Sequence, residues 1–228
     1  MVPSSVVLIN LFLFVYASNG YVMVENSQPP SLSPSWQPSR HPYADTIYPL
    51  TAGWEQATAT GARYGGVSKS EYRVSSDVWR LEKVKSKIVA AGRLTGIDPA
   101  ILAAIASRGS AAGYQLNSRG YSYHSTTKYG YMQLSTTRYY VDTSGGPSGQ
   151  AHFDQAAKVL KSALEYVEDS RPYWQKAMQV KAGIAAYDVG VQNYIIPSTI
   201  AIDTETTDKD YSNDVLARAK YLRRKRIF

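Results

Sequence analysis

Tyrosine is unusually frequent in this sequence and far outnumbers the other aromatic residues. There are 19 tyrosines, 3 histidines and no cysteine in 228 residues. Without cysteine there is no disulfide, no thiolate nucleophile and no Cys-ligated zinc or iron–sulfur site. The histidines (His41, His124 and His152) form no HExxH pair, so no metal site is predicted, and no cofactor is expected. A tyrosine ring has an apolar face and a polar tip, which suits stacking on sugars and wet interfaces. Carboxylates are unevenly placed: between Asp98 and Asp142 there is not one Asp or Glu. The balance of 25 basic against 18 acidic residues leaves a formal charge of +7. That balance suits anionic partners such as acidic glycans, a bacterial wall or a membrane surface. No nucleic-acid-binding motif accompanies it, so nucleic acid is not an expected partner.

Elements must hold these groups in place, and the hydrophobic pattern is informative about them. With 44% hydrophobic and 19% charged residues the chain can bury a sizeable core in one domain. Residues 57–72 are rich in Gly, Ser and Thr and read as loops and turns. A helix is then predicted, capped by Ser75, Ser76 or Asp77, with Val78, Leu81, Val84, Ile88 and Ala91 on one face and Gly96 at its end. The next helix has Asp98 as cap and Pro99 at its first position. Its body, AILAAIAS, is apolar nearly all round, so it belongs at the centre of the domain. It runs out at Ser107-Arg108-Gly109. The Tyr-rich stretch 114–140 alternates at Tyr121/Tyr123 and Tyr129/Tyr131, predicting a small hairpin or meander. Helices are expected again at about 153–167, 174–187 and 208–222. The fold class is α+β, mostly α: a helical domain around a buried central helix with a small antiparallel sheet.

The flanks carry different signals. Val6 to Tyr16 is an apolar run of export-signal length, with Ser18 and Gly20 spaced for cleavage after residue 20. A buried strand is the other reading of that run. Residues 21–50 include a Pro/Ser-rich stretch, 28–43, holding five of the eleven prolines, with polyproline II tendency. The domain proper is assigned to 51–228, and a secreted, extracellular monomer is expected. Arg218 to Phe228 contains six Lys or Arg. It reads either as a patch for anionic surfaces or as a solvated helix end complementing the helix dipole.

Five segments resemble goose-type lysozymes, glycoside hydrolase family 23: TATGARYGGVS (58–68), SRGSAAGY (107–114), YGYMQLS (129–135), AGIAAYDVG (182–190) and DYSNDVLARAKYL (210–222). They stand in the family's order and cover the predicted domain. The resemblance implies a lysozyme-like fold with a glycan cleft. The implied substrate is the β-1,4 bond between N-acetylmuramic acid and N-acetylglucosamine in peptidoglycan.

Glycoside hydrolysis needs a proton donor at the leaving oxygen and a second carboxylate. By the resemblance, the acid follows the Ser-Arg that ends the buried helix, and here that residue is Gly109. The two assisting acids fall on His124 and Ser135. No standard catalytic residue is therefore expected. A general acid contributes about 10²–10⁴ in rate, and phenols such as Tyr123 and Tyr131 are too weakly acidic to replace it near neutral pH. Asp188 is either a substitute acid or base, or a near-isosteric stand-in for the Asn common there, accepting a sugar hydrogen bond. Asp142 is a second candidate acid, beside a Gly/Ser-rich loop. His124 is either a proton donor or a solvated loop residue. The binding half is read as Tyr129, Tyr131, Gln133, Tyr139, Tyr187 and Asp188, with Met132 in the core. Three functions follow. The first is a catalytically inactive binder of peptidoglycan or a related amino-sugar glycan. The second is a weak muramidase using a non-standard carboxylate such as Asp188. The third is a cationic antimicrobial or matrix protein acting through its basic tail.

Overall fold

The computed structural model describes residues 48–197 and 201–228. The predicted export signal and most of the 21–50 segment lie outside the described residues. The elements run α1 (Gly66–Glu82), α2 (Lys85–Thr95), α3 (Pro99–Ser110), β1 (Tyr121–Ser122), β2 (Ser125–Tyr129), β3 (Leu134–Ser135), α4 (Gln150–Ser170), α5 (Lys176–Val189) and α6 (Tyr211–Arg224). This is the mostly helical α+β arrangement that the hydrophobic pattern predicts. The three strands form an antiparallel meander in the order β1-β2-β3, with Tyr121 opposite Tyr129 and Lys128 opposite Ser135.

Helix α3 is the hub. Ala100 to Ala106 are fully buried, and the helix packs on α1, α2 and α6. Burying Ile101, Leu102 and Ile105 contributes about 1.5–3 kcal/mol each. Its start is fixed by Asp98, whose carboxylate accepts from the Ala100 N–H and from the Trp54 indole N–H, both at 2.9 Å. Arg223 of α6 approaches the same carboxylate at 3.2 Å. One capping residue therefore joins the beginning, middle and end of the domain.

The helix predicted from Ser75–Asp77 onward is corrected. It begins ten residues earlier, after Gly65, whose φ of +97° only glycine adopts at little cost. It then breaks at residues 83–84, so the predicted apolar face belongs to two helices. Ser75 and Ser76 sit inside α1, and each hydroxyl donates to the Tyr72 carbonyl. The reason is chemical. The inward stripe of α1 is Ser70, Val74, Asp77 and Leu81, and half of it is polar. A periodicity that counts only apolar residues does not see it.

Those polar residues serve an ionic network at the far end of α3. The Ser107 hydroxyl donates to Asp77 at 2.6 Å, and Arg80 pairs with the same carboxylate. Arg218 of α6 donates to both oxygens of Asp214 at 2.9 Å and to Ser107 at 2.8 Å. Arg108 adds pairs to Asp208, Asp210 and Asp214. Burial opposes the Asp214 charge, yet hydrogen bonding and attraction from Arg218 hold its carboxyl below the usual range. Breaking such a pair from one side leaves an uncompensated buried charge, which costs about 3–5 kcal/mol.

The basic C-terminal stretch is therefore mostly part of the fold. Arg218 is buried, Lys220 donates to the Ala57 carbonyl, Arg224 pairs with Glu71, and Phe228 is in the core. The predicted outcome is that Arg218→Met lowers stability by about 3–5 kcal/mol in urea unfolding. Combining it with Asp214→Leu recovers part of that loss, because no charge is left alone.

Candidate glycan cleft at the end of the central helix

A cavity of about 170 Å³ opens where the end of α3 meets the sheet, the end of α5 and the start of α6. Its walls include Gly109, Gln133, Ser135, Tyr139, Tyr187 and Asp188. Segments spread over eighty residues thus arrive at one place. Tyr129, Tyr131 and His124 are not among its walls. Tyr129 is only 2% exposed, packed edge-on to Tyr121 and His152. Tyr131 packs edge-on to Phe153. His124 is exposed in the turn between β1 and β2. Asp142 lies outside these walls too, and the hydroxyl and N–H of Ser144 hold its carboxyl below the usual range.

Gly109 and Gln133 define the floor. A Cβ at position 109 would stand 2.9 Å from the Gln133 Cγ and 3.5 Å from the Tyr131 carbonyl oxygen. Real side chains do not approach so closely, so the missing side chain of Gly109 is what lets Gln133 lie there. Gln133 adopts a left-handed φ of +56°, uncommon for a non-glycine residue. Its side-chain amide donates to the Gly130 carbonyl at 2.7 Å. The Ser135 hydroxyl exchanges a hydrogen bond with Thr137 at 2.9 Å.

The turn carrying Gln133 is pinned from two sides. The Tyr187 hydroxyl donates to the Met132 carbonyl at 2.8 Å, and burial drives its phenol far above the ordinary value. Tyr187 is thus a neutral strut whose ring borders the cleft. From below, His152 Nε2 accepts the Met132 N–H at 3.1 Å. The neutral ring then carries its proton on Nδ1. Burial pushes its pKa down to about 4.

Among the described residues Asp188 is the one carboxylate lining the cavity. Both its oxygens are engaged, one by the Thr207 N–H at 2.7 Å and the other by the Thr207 hydroxyl at 3.0 Å. Both carboxylate oxygens are therefore tied to the start of the segment that leads into α6. The other ionisable walls are cations. Lys128 projects from β2, its pKa lowered by burial although Asp188 partly offsets this. Arg138 donates to the Asp188 carbonyl at 3.3 Å, and Gly190 leaves it room, since a Cβ there would meet its guanidinium at 2.9 Å. Arg108 completes the set. Sequence reasoning missed Lys128, Arg138 and Thr207; alternation along β2 was the only available signal, and only for Lys128. Among the described residues no cluster of three or more His, Asp or Glu could hold a metal.

The geometry offers an open groove with amide, hydroxyl and guanidinium donors and tyrosine surface. It can hydrogen-bond and stack a polar ring. Because His152 supports it, acid should loosen it. Its folded pKa lies below the unfolded 6.5, so its contribution is complete above pH 6.5 and is lost as pH falls toward 4. Over that window wild type should lose about 3 kcal/mol more than His152→Gln, read as the difference between their urea midpoints. Equal slopes for the two proteins would refute the role given to His152.

A lysozyme g family model matches residues 44–226. Similar proteins include lysozyme g of Epinephelus coioides, 33% identical over 78% of this chain and 93% of that protein. Lysozyme g of Takifugu rubripes is 35% identical over 79% of this chain and 96% of its own length. Human lysozyme g-like protein 2 is 29% identical over 97% of this chain and 98% of its own.

Proposed function

The chain belongs to the lysozyme g family, and from that membership we propose that it is a secreted glycan-binding protein without muramidase activity. Its ligand is peptidoglycan or a related N-acetylglucosamine-containing glycan. One observation carries this reading: the cavity at the end of α3 is walled by tyrosine, amide and cationic groups, while its single carboxylate is tied to Thr207. A leaving glycosidic oxygen would find no side chain at position 109 to protonate it. Tyr187 is neutral but is committed to the Met132 carbonyl, and its phenol is a weaker acid than usual. The binding functions ask less of the site. The Gln133 amide offers a hydrogen-bond donor and acceptor to an acetamido or hydroxyl group, and Tyr139 offers a ring face.

Export is inferred from the Val6–Tyr16 run and its small-residue cleavage site. Action through the basic tail is disfavoured, because Arg218, Lys220, Arg223 and Arg224 are engaged within the domain. A weak muramidase using Asp188 is the competing reading, and it has a direct test.

The mature chain should bind N-acetylglucosamine tetramer by calorimetry and should not clear a suspension of bacterial walls. Gln133→Ala and Tyr139→Ala should each weaken binding about five- to tenfold, about 1–1.4 kcal/mol. Wall lysis that Asp188→Asn abolishes would overturn the proposal in favour of the enzyme reading.

Restoring an acid is a separate test. Gly109→Glu with Ser135→Asp should give little lysis, because the new side chain meets Gln133. Adding Gln133→Ala to vacate that space should raise lysis at least tenfold over the double variant, part of the 10²–10⁴ a general acid contributes.

A further inference from the structure

The outward face of α1 carries a second built surface. Lys69, Tyr72, Arg73, Ser76, Trp79 and Lys83 follow at helical spacing, and all six are exposed. The rings are unusually open for their size: Tyr72 is 68% exposed and Trp79 56%. Tyr114, 72% exposed, joins them from the turn after α3. Cations lie over these rings. Lys83 stands 4.3 Å from the Trp79 centroid, Lys69 5.5 Å from Tyr72, and Arg80 5.3 Å from Tyr114.

The acids nearby are occupied. Of the three on α1, Glu71 pairs with Arg224, Glu82 with Lys85, and Asp77 with Arg80 and Ser107. Asp208, at the edge of the surface, pairs with Arg108. Among the described residues, Lys69, Arg73 and Lys83 have no carboxylate partner. The stripe is therefore a row of uncompensated cations set among exposed aromatic rings.

The row borders a hollow. A polar cavity of about 410 Å³ is lined by Tyr72, Arg73, Ser76 and Arg80 from α1 and by Tyr114 and Gln115 from the turn after α3. Arg80 is held rigid there, because Ala111, in a left-handed conformation at φ +48°, accepts its Nε–H at 2.9 Å. This hollow is distinct from the cleft. Ser107 lines it, and Gly109, two residues on, lies about half a turn away toward the cleft; Arg108 between them borders both.

We infer that the α1 face is a binding surface for an acidic polysaccharide, with sugar rings against Tyr72, Trp79 and Tyr114 and sulfate or carboxylate groups on Arg73, Lys69 and Lys83. A concave polar hollow walled by tyrosines fits a saccharide unit. A helix lying on a membrane needs a continuous apolar face apart from its cations, whereas here Lys69, Arg73, Ser76 and Lys83 are interspersed with Tyr72 and Trp79, and Val67 is the only large aliphatic exposed on α1. Guanidinium forks take planar or tetrahedral oxyanions in two hydrogen bonds at once. The rings give the contact area, and the cations select for acidic chains.

The test uses the whole mature chain at 150 mM salt with three probes: a heparin octasaccharide, a hyaluronan octasaccharide and N-acetylglucosamine tetramer. At least one of the two acidic probes should bind; heparin carries both groups, so heparin binding without hyaluronan identifies sulfate as the group read, and hyaluronan binding shows that carboxylate suffices. Arg73→Ser with Lys83→Ser, and separately Trp79→Ala, should each weaken that binding at least tenfold while leaving tetramer binding and the melting temperature within error. A charge-matched control, Lys225→Ser with Arg226→Ser, should change it less than twofold. The inference is overturned if neither acidic probe binds, if the control loses as much as the α1 variants, or if Trp79→Ala has no effect. It is also overturned if the chain binds phosphatidylserine vesicles through the same residues and ignores both octasaccharides. Because the tetramer is read in parallel, failure of the α1 surface and failure of the cleft are distinguishable.

Discussion

Asp214 and Arg218 are ionised groups sealed from water, and their pairing organises the end of the central helix. Neither would be tolerated alone in such a place, since a lone buried charge costs several kcal/mol. Together they accept Ser107 into the pair, and through it Asp77 and Arg80. Arg108, on the next residue of α3, reaches back to Asp214 at 2.9 Å. Two consecutive residues of one helix are thus bound into α1 and α6, and Gly109 follows them directly. The position that faces the cleft is set by ion pairs that run from the cleft wall at Arg108 into the core at Asp214 and Arg218.

What stands at that position then decides the chemistry. With glycine there, Gln133 occupies the adjoining space and the turn from Gly130 to Gln133 folds tightly over it. That turn is held by a phenol from one side and an imidazole from the other, both uncharged because both are buried. The charged walls of the cleft are Arg108, already paired with Asp208, Asp210 and Asp214, and Lys128 and Arg138 against Asp188. Such a balance favours anionic or strongly hydrogen-bonding ligands. Position 109 itself offers no side chain to carry a proton to a leaving oxygen, the first requirement of glycoside cleavage. The same ionic network lends Arg80 to the α1 face, so the two surfaces share a foundation, with Arg108 bordering both.

Parts of this were legible in the sequence for physical reasons. Helix α3 is apolar all round and opens with Asp98-Pro99, so both its burial and its start follow from local rules. The gathering of Gly109, Gln133, Ser135, Tyr139, Tyr187 and Asp188 was reachable only through the order of motifs, since no local rule brings α3 to α5. Helix α1 was misread because Ser70 and Asp77 are buried polar residues whose partners, among them Ser107, are remote in sequence. Tyr129 and Tyr131 were read as ligand contacts because a tyrosine's composition does not tell which way it faces. In the structure one packs against His152 and the other against Phe153. Lys128 and Arg138 reach the cleft through strand register and the bare Cα of Gly190, features that exist only after folding.

The central claim is that the groove beside Gly109 holds sugar without transferring a proton to it. It is tested most directly by incubating a stoichiometric excess of the mature chain with a defined muramyl tetrasaccharide and weighing the sugar by mass spectrometry over days. The account predicts that the tetrasaccharide co-elutes with the protein and is recovered at its starting mass. Disaccharide products appearing with the wild-type chain, and slowed when Asp188 is changed to Asn, would contradict it.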